Sequence, residues 1–300
     1  MNYATIDIGT NTVLLLISNY PPLKILCDEA RITRLGEGLH QQPFFIEKAQ
    51  ERTLAALKTY KEICTKQKVV TIIAVGTAAF RKAKNAPQFI DRVEKETGIR
   101  IQIISGEEEA RLSYLSAKKD FSTYENLFVL DIGGGSTEII SKEGGVSLDL
   151  GAVVMTERIV RHDPPTEEEV QQMVEEVDQK VGTIQKPHTH NIPTLVGLAG
   201  SVTTLSAIKQ KLAIWDGSKV QGSRLTQEDI QTMIDLFRKT TVAEKSKIPG
   251  MVAGREDTIL VGSLILQKVM EKLGVSEVIV SDRGLRYGLL YGSTSSPCPL

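Results

Sequence analysis

The chain has 300 residues, 41% of them apolar, and a formal net charge of −1, which is length enough for two domains with real cores but gives no basic field for nonspecific nucleic-acid binding. Its three cysteines, Cys27, Cys64 and Cys298, form neither a CxxC pair nor a Cys/His cluster, which argues against a disulfide framework or a structural zinc and for a reducing compartment. The longest apolar runs, residues 12–18 and 69–75, fall well short of the roughly 20 residues of a bilayer crossing and no basic-plus-apolar leader precedes them, so a cytoplasmic protein without membrane attachment is expected.

In chain order, residues 3–8, a tight turn at 9–11, residues 12–19 and residues 24–35 predict a meander of three strands rich in β-branched residues and leucine. Ile46, Ala49, Thr53, Leu57, Tyr60 and Cys64 recur at helical spacing, and residues 69–75 read as a buried strand. A helix over 87–97 ends at Gly98, a short strand covers 99–104, and the acidic stretch from Ser105 opens another helix. The pattern then restarts. Residues 127–140 give an apolar strand, an Asp-Ile-Gly turn and a second strand, echoing residues 5–13. A strand over 146–150 follows, then a helix carrying Val170, Met173, Val174, Val177 and Val181 on one face, a strand over 193–199 and a glycine turn into a helix from Gly200. An apolar helix over 257–273, a strand over 275–280 and a helix after Asp282 close the chain, ahead of a Ser/Pro-rich tail over 293–300 expected to be loosely docked. The expected architecture is α/β with two duplicated domains, residues 1–121 and 122–282, each a mixed sheet flanked by helices, with the last helix (about 283–293) packing back on the first and a hinge near 121–126.

The chemistry concentrates in the turns. Glycines directly after a strand let backbone N–H groups approach an anion, and hydroxyls beside them add donors. Gly9, Thr10, Asn11 and Thr12 in the first half, and Gly133, Gly134, Gly135, Ser136 and Thr137 in the second, are therefore candidate phosphate-binding residues. Either turn alone is as readily an ordinary hairpin; the pair, repeated in register, points to a cleft between the domains. Each turn also carries a carboxylate, Asp7 and Asp131, able to hold hydrated Mg²⁺ against phosphate oxygens. A third turn places Gly200 and Ser201 at a helix start, where amides and dipole favour anions. Walker and GxGxxG loops are absent from the sequence, which disfavours P-loop and Rossmann solutions.

The two-turn pattern with a third glycine loop resembles the actin-like ATPase superfamily, whose domains are ribonuclease H-like. More narrowly, DIGTNT, GTAAFRKAKN, ISGEEEAR, DIGGGSTE, GLAGSVTTL and SDRGLRYGLL, in that order over most of the chain, resemble the exopolyphosphatase/guanosine pentaphosphate phosphohydrolase (Ppx/GppA) family in a short two-domain form. The resemblance implies Mg²⁺-dependent hydrolysis of the terminal phosphoanhydride of polyphosphate, of guanosine pentaphosphate, or of both, and a homodimer.

Three consecutive acids in ISGEEEAR can be sorted. With Ser105 as N-cap, Glu108 occupies the N3 position of a capping box and Glu107 suits the first-turn dipole. Glu109 lies about 100° further round the helix than Glu108 and is required by neither. The resemblance assigns Glu109 as the base that activates water, Arg81 as a phosphate-contacting arginine, and Glu138, otherwise an exposed strand position or a site acid, to the metal or water alongside Asp131. Lys82, Lys84, Arg255, Arg283 and Arg286 are candidate contacts for the rest of an anionic chain, although such cations are usually solvated. His188 and His190 lack a third ligand nearby and read as a polar loop. The competing readings are an ATP-dependent small-molecule kinase of the same superfamily and a non-catalytic nucleotide-binding protein.

Overall fold

The computed structural model describes residues 1–184 and 192–294; His188, His190, Cys298 and residues 295–300 of the expected tail lie outside them. The chain divides into two compact units, Met1–Ser116 with Leu285–Leu300, and Ala117–Gly284.

The first unit opens with β1 (Asn2–Ile8), β2 (Thr12–Asn19) and β3 (Lys24–Ile32), followed by α1 (Glu47–Lys66), β4 (Thr71–Gly76), α2 (Ala78–Lys82), α3 (Ala86–Thr97) and β5 (Ile101–Ile103). The division runs through the next helix, α4 (Gly106–Asp120). The sheet order is β3-β2-β1-β4-β5, antiparallel across the meander and parallel from β1 through β4 to β5. Alternation along β1 and β2 turns Ile6, Ile8, Val13 and Leu15 into the core with Tyr60 of α1, while Phe45, Phe80 and Phe89 pack ring against ring. The third strand is shorter than expected: it stops at Ile32 because Thr33 and Arg34 turn their N–H groups to Asn11 O.

The second unit repeats the plan. It contains β6 (Leu127–Ile132), β7 (Thr137–Ser141), β8 (Gly144–Leu148), α5 (Ala152–Ile159), α6 (Glu167–Gly182), β9 (Thr194–Leu198), α7 (Ala199–Lys209), α8 (Gly217–Val220), β10 (Arg224–Thr226), α9 (Gln227–Phe237), α10 (Val242–Lys245), α11 (Ile259–Leu273) and β11 (Glu277–Val280). Read from β8, its sheet runs β8-β7-β6-β9-β11 with the same antiparallel meander and parallel half as the first, extended by antiparallel β10 at the far edge. The duplicated, mixed-sheet α/β fold expected from the two Asp-Ile-Gly turns is thus present. α11, apolar almost all round, packs against α5, α6, α7 and α9 and anchors this core. Helices α5 and α9 were missed by the periodicity reading; α5 has only eight residues, and α9 announces itself mainly by the Thr226/Asp229 capping box.

The last helix, α12 (Leu285–Thr294), belongs to the first unit and packs on β1 and β2. Thr5 Oγ1 donates to Arg286 O at 2.7 Å. The Arg286 guanidinium, buried with its residue 6% exposed, grips Asp28 at 2.8 and 3.0 Å, and Tyr287 OH donates to the same carboxylate at 2.7 Å. Helix-on-helix contact is close at Gly288, where a Cβ would lie 2.1 Å from Leu112 O of α4.

Candidate active site

In the first unit the acids collect at the end of β1. Asp7 is the penultimate residue of that strand, paired in register with Val75 of β4. The following turn is closed by Gly9 N–H donating to Thr12 O at 2.9 Å, and Gly36 N–H reaches Thr10 O at 2.9 Å. Thr10 and Asn11 are both 5% exposed, and neither atom of the Asn11 carboxamide has a hydrogen-bond partner. A buried carboxamide left so is costly unless a further group meets it.

Glu109, in the first turn of α4, points inward. Arg81, in the short helix after β4, donates from Nη1 to Ile104 O at 3.0 Å and to Glu109 Oε2 at 2.8 Å. The Glu109 side chain is 13% exposed; burial pushes its carboxyl up while Arg81 pulls it part of the way back. Asp7 is pushed up to about 7 by burial and by the negative charge of Glu109, with Arg286 opposing. Asp7, Glu109 and Arg81 are therefore one electrostatic group, and Arg81 orients the acid as well as being placed where an anion could meet it. The neighbouring acids differ. Glu108 N–H donates to Ser105 Oγ at 3.1 Å, as the N-cap expectation requires, but the Glu108 carboxylate is taken by a two-point pair with Arg111 at 2.8 Å each, which holds it below the usual range. Glu107 is exposed in the same turn.

In the second unit the glycine loop Gly133–Gly135 joins β6 to β7, closed by Gly133 N–H donating to Ser136 O at 2.9 Å. Asp131 and Glu138 are direct partners across the two antiparallel strands, so both side chains leave the same face. Glu138 is 2% exposed and accepts from Ser147 Oγ at 2.8 Å; the exposed-alternation alternative for this residue is excluded. Ser147 was not anticipated, although the β7–β8 hairpin puts it directly opposite Glu138. Thr137 is fully buried and donates its hydroxyl to Leu150 O at 2.6 Å, so that proton is spent inside the fold, whereas Ser136 is 8% exposed. Gly200 and Ser201 lie in the first turn of α7, with the Arg255 guanidinium packed against Gly200.

Of the other cations, Lys82 and Lys84 are exposed, Arg283 pairs with Asp120 at 2.9 Å, and Arg286 is committed to Asp28. Among the described residues no three His, Cys, Asp or Glu side chains gather into a metal cage, and no helix is long and apolar enough to cross a membrane.

The chain matches a known family. A model of the Ppx/GppA phosphatase family covers residues 16–296. The chain belongs to the Ppx/GppA phosphatase family. Exopolyphosphatase 2 of Mycobacterium tuberculosis is 31% identical over 311 residues, covering 95% of this chain and 96% of the relative. A bifunctional 3-dehydroquinate synthase/phosphatase of Fusobacterium nucleatum is 33% identical over 93% of this chain, which spans 44% of that protein's length. The crystal structure of the Aquifex aeolicus Ppx/GppA family member superposes with a TM-score of 0.82 at 36% identity, covering 98% of both chains. These relatives support a Ppx/GppA-type phosphatase with the actin-like, two-domain fold.

Proposed function

We propose that this phosphatase hydrolyses the terminal phosphoanhydride of inorganic polyphosphate, with guanosine pentaphosphate as a second substrate of the same chemistry. The observation that carries the proposal is the half-buried, arginine-oriented Glu109. A carboxylate held in one rotamer by Arg81 and lifted in basicity by burial is suited to orient a water and take its proton during in-line attack. The amides and hydroxyls of the Gly9–Thr12 and Gly133–Ser136 turns take the phosphate oxygens in this reading, and the unpartnered Asn11 carboxamide is a ready donor for one of them.

Mg²⁺ fits the donor set. Asp131 and Glu138 leave one face of β6 and β7 side by side, and Mg²⁺ is commonly held by one or two carboxylates together with substrate phosphates and waters, without an all-protein cage. Bound there, it would neutralise charge on the phosphate oxygens. Asp7, the third acid expected to serve it, is raised to about 7 by burial and by the charge of Glu109, and a cation bound beside it would draw its carboxyl back towards the anion.

The deciding experiment measures orthophosphate release from polyphosphate and from guanosine pentaphosphate with Mg²⁺ and no acceptor. Release supports the hydrolase and removes the kinase alternative; absence of release from either substrate overturns the proposal. Glu109→Gln, which keeps the shape and loses the base, is expected to lower turnover by about 10²–10⁴-fold with the circular dichroism spectrum unchanged.

A further inference from the structure

Helix α5 holds the carbonyl side of the glycine loop. Its first three amides, on Ala152, Val153 and Val154, donate to Gly133 O at 3.0 Å, to Gly134 O at 3.0 Å and to Gly134 O at 3.1 Å. These belong to the N–H groups that a helix start leaves without partners inside the helix. In many phosphate sites such amides meet the anion directly; here they meet the backbone of the loop. Because C=O and N–H of a trans peptide point in opposite directions, turning these two carbonyls onto α5 turns the N–H groups of Gly134 and Gly135 away from it. Gly135, Gly151, Val154 and Met155 border a cavity of about 180 Å³ that reaches Arg158 and Lys180.

The close approach depends on Gly151, the N-cap of α5. A Cβ there would lie 2.3 Å from Gly134 O and 2.4 Å from Gly135 Cα, and both obstacles are backbone that cannot swing aside as a side chain would. Its φ of −124° and ψ of 141° are open to any residue, so glycine is needed for space and not for conformation. We infer that Gly151 is a positioning residue for phosphate binding: its missing side chain lets the start of α5 clamp the loop with the Gly134 N–H turned towards the anion. The inference rests on the proposed reading of residues 133–136 as a phosphate cradle.

The test uses the full chain and two readouts, KM and kcat on polyphosphate of defined length, and inorganic phosphate binding followed by phosphorus NMR, which needs no turnover. Gly151→Ala is expected to weaken phosphate binding and raise KM about tenfold, the equivalent of roughly one hydrogen bond to a charged group, with kcat changed much less. Ala152→Pro is the second variant in case that one folds poorly. Proline is favoured at the first helical position, and the backbone of Gly151 already suits a residue preceding it, so the helix start tolerates the change, which removes the N–H donated to Gly133 O and sets a ring carbon against that carbonyl, releasing the clamp. It is expected to raise KM several-fold. Gly182→Ala, whose Cβ would meet nothing within 4 Å, is the control and leaves both readouts unchanged. Ser136→Ala tests the underlying reading. If Ser136→Ala weakens phosphate binding while Gly151→Ala and Ala152→Pro do not, the inference fails and the cradle stands. If none of the three weakens it, or the wild-type protein binds no phosphate, the cradle reading fails and takes the inference with it. A fall in kcat tracking the folded fraction, at constant KM, would reduce Gly151 to a stability role and also overturn the inference.

Discussion

Glu109 and Asp7 share one patch of the first unit, and their charges oppose each other. Arg81 stabilises the anionic form of Glu109, so an Arg81→Met enzyme should show the acid limb of its kcat/KM profile moved to higher pH, on top of any loss from missing phosphate contact. A limb that stays in place would mean that Glu109 is not the titrating base. Asp7 makes a stability prediction. Its carboxyl titrates near 3.8 in an unfolded chain and at about 7 in the fold, so the native state holds the proton more tightly. Its stabilising contribution is complete below about pH 4, declines as pH rises towards 7 and is gone above that. In metal-free buffer, Asp7→Asn should therefore be more stable than wild type above pH 7 and show a flatter dependence of Tm on pH between these limits; thermal melts across that window check it. The acid at 109 could be singled out in the sequence because the helix start gives its neighbours other reasons to be there, although Glu108 spends its carboxylate on Arg111 and not on closing the capping box. The inward placement of Glu109 could not, because that depends on Arg81 arriving from a separate helix 28 residues earlier.

At the scale of elements, α12 shows how a helix can be tied to its neighbours by the lack of a side chain. Gly288 lets it approach the backbone of α4 at Leu112. Gly288→Ala should force the two helices apart and cost about 1–3 kcal/mol in chemical denaturation, with an added loss of activity because α4 also carries Glu109. Regular strands and the longer amphipathic helices were readable from their periods, and β2 was placed residue for residue. The stretch between α7 and α11 was not. Its short elements α8, β10 and α10 have three or four residues each, too few for any period to emerge, and they owe their form to caps such as Asp216 and Thr241 and to pairing with β11.

At the scale of the whole molecule, repetition of the Asp-Ile-Gly turn announced the duplication, and the two sheets share one strand order through five positions. The membership of the last helix was legible only as an expectation of return, because nothing local to residues 285–294 names the sheet that they cover. Chelation provides a global test of the proposed chemistry: EDTA should abolish phosphate release and added Mg²⁺ should restore it, whereas full activity in EDTA would remove the ion from the proposal. The discontinuity of the first unit also sets a schedule for biosynthesis. The second unit is one uninterrupted segment, Ala117–Gly284, and emerges from the ribosome with all its strands before the Arg286–Asp28 lock of the first can close. The first half to be translated is thus the last to be finished, and β1 and β2 wait, one face bare, for a helix still being made.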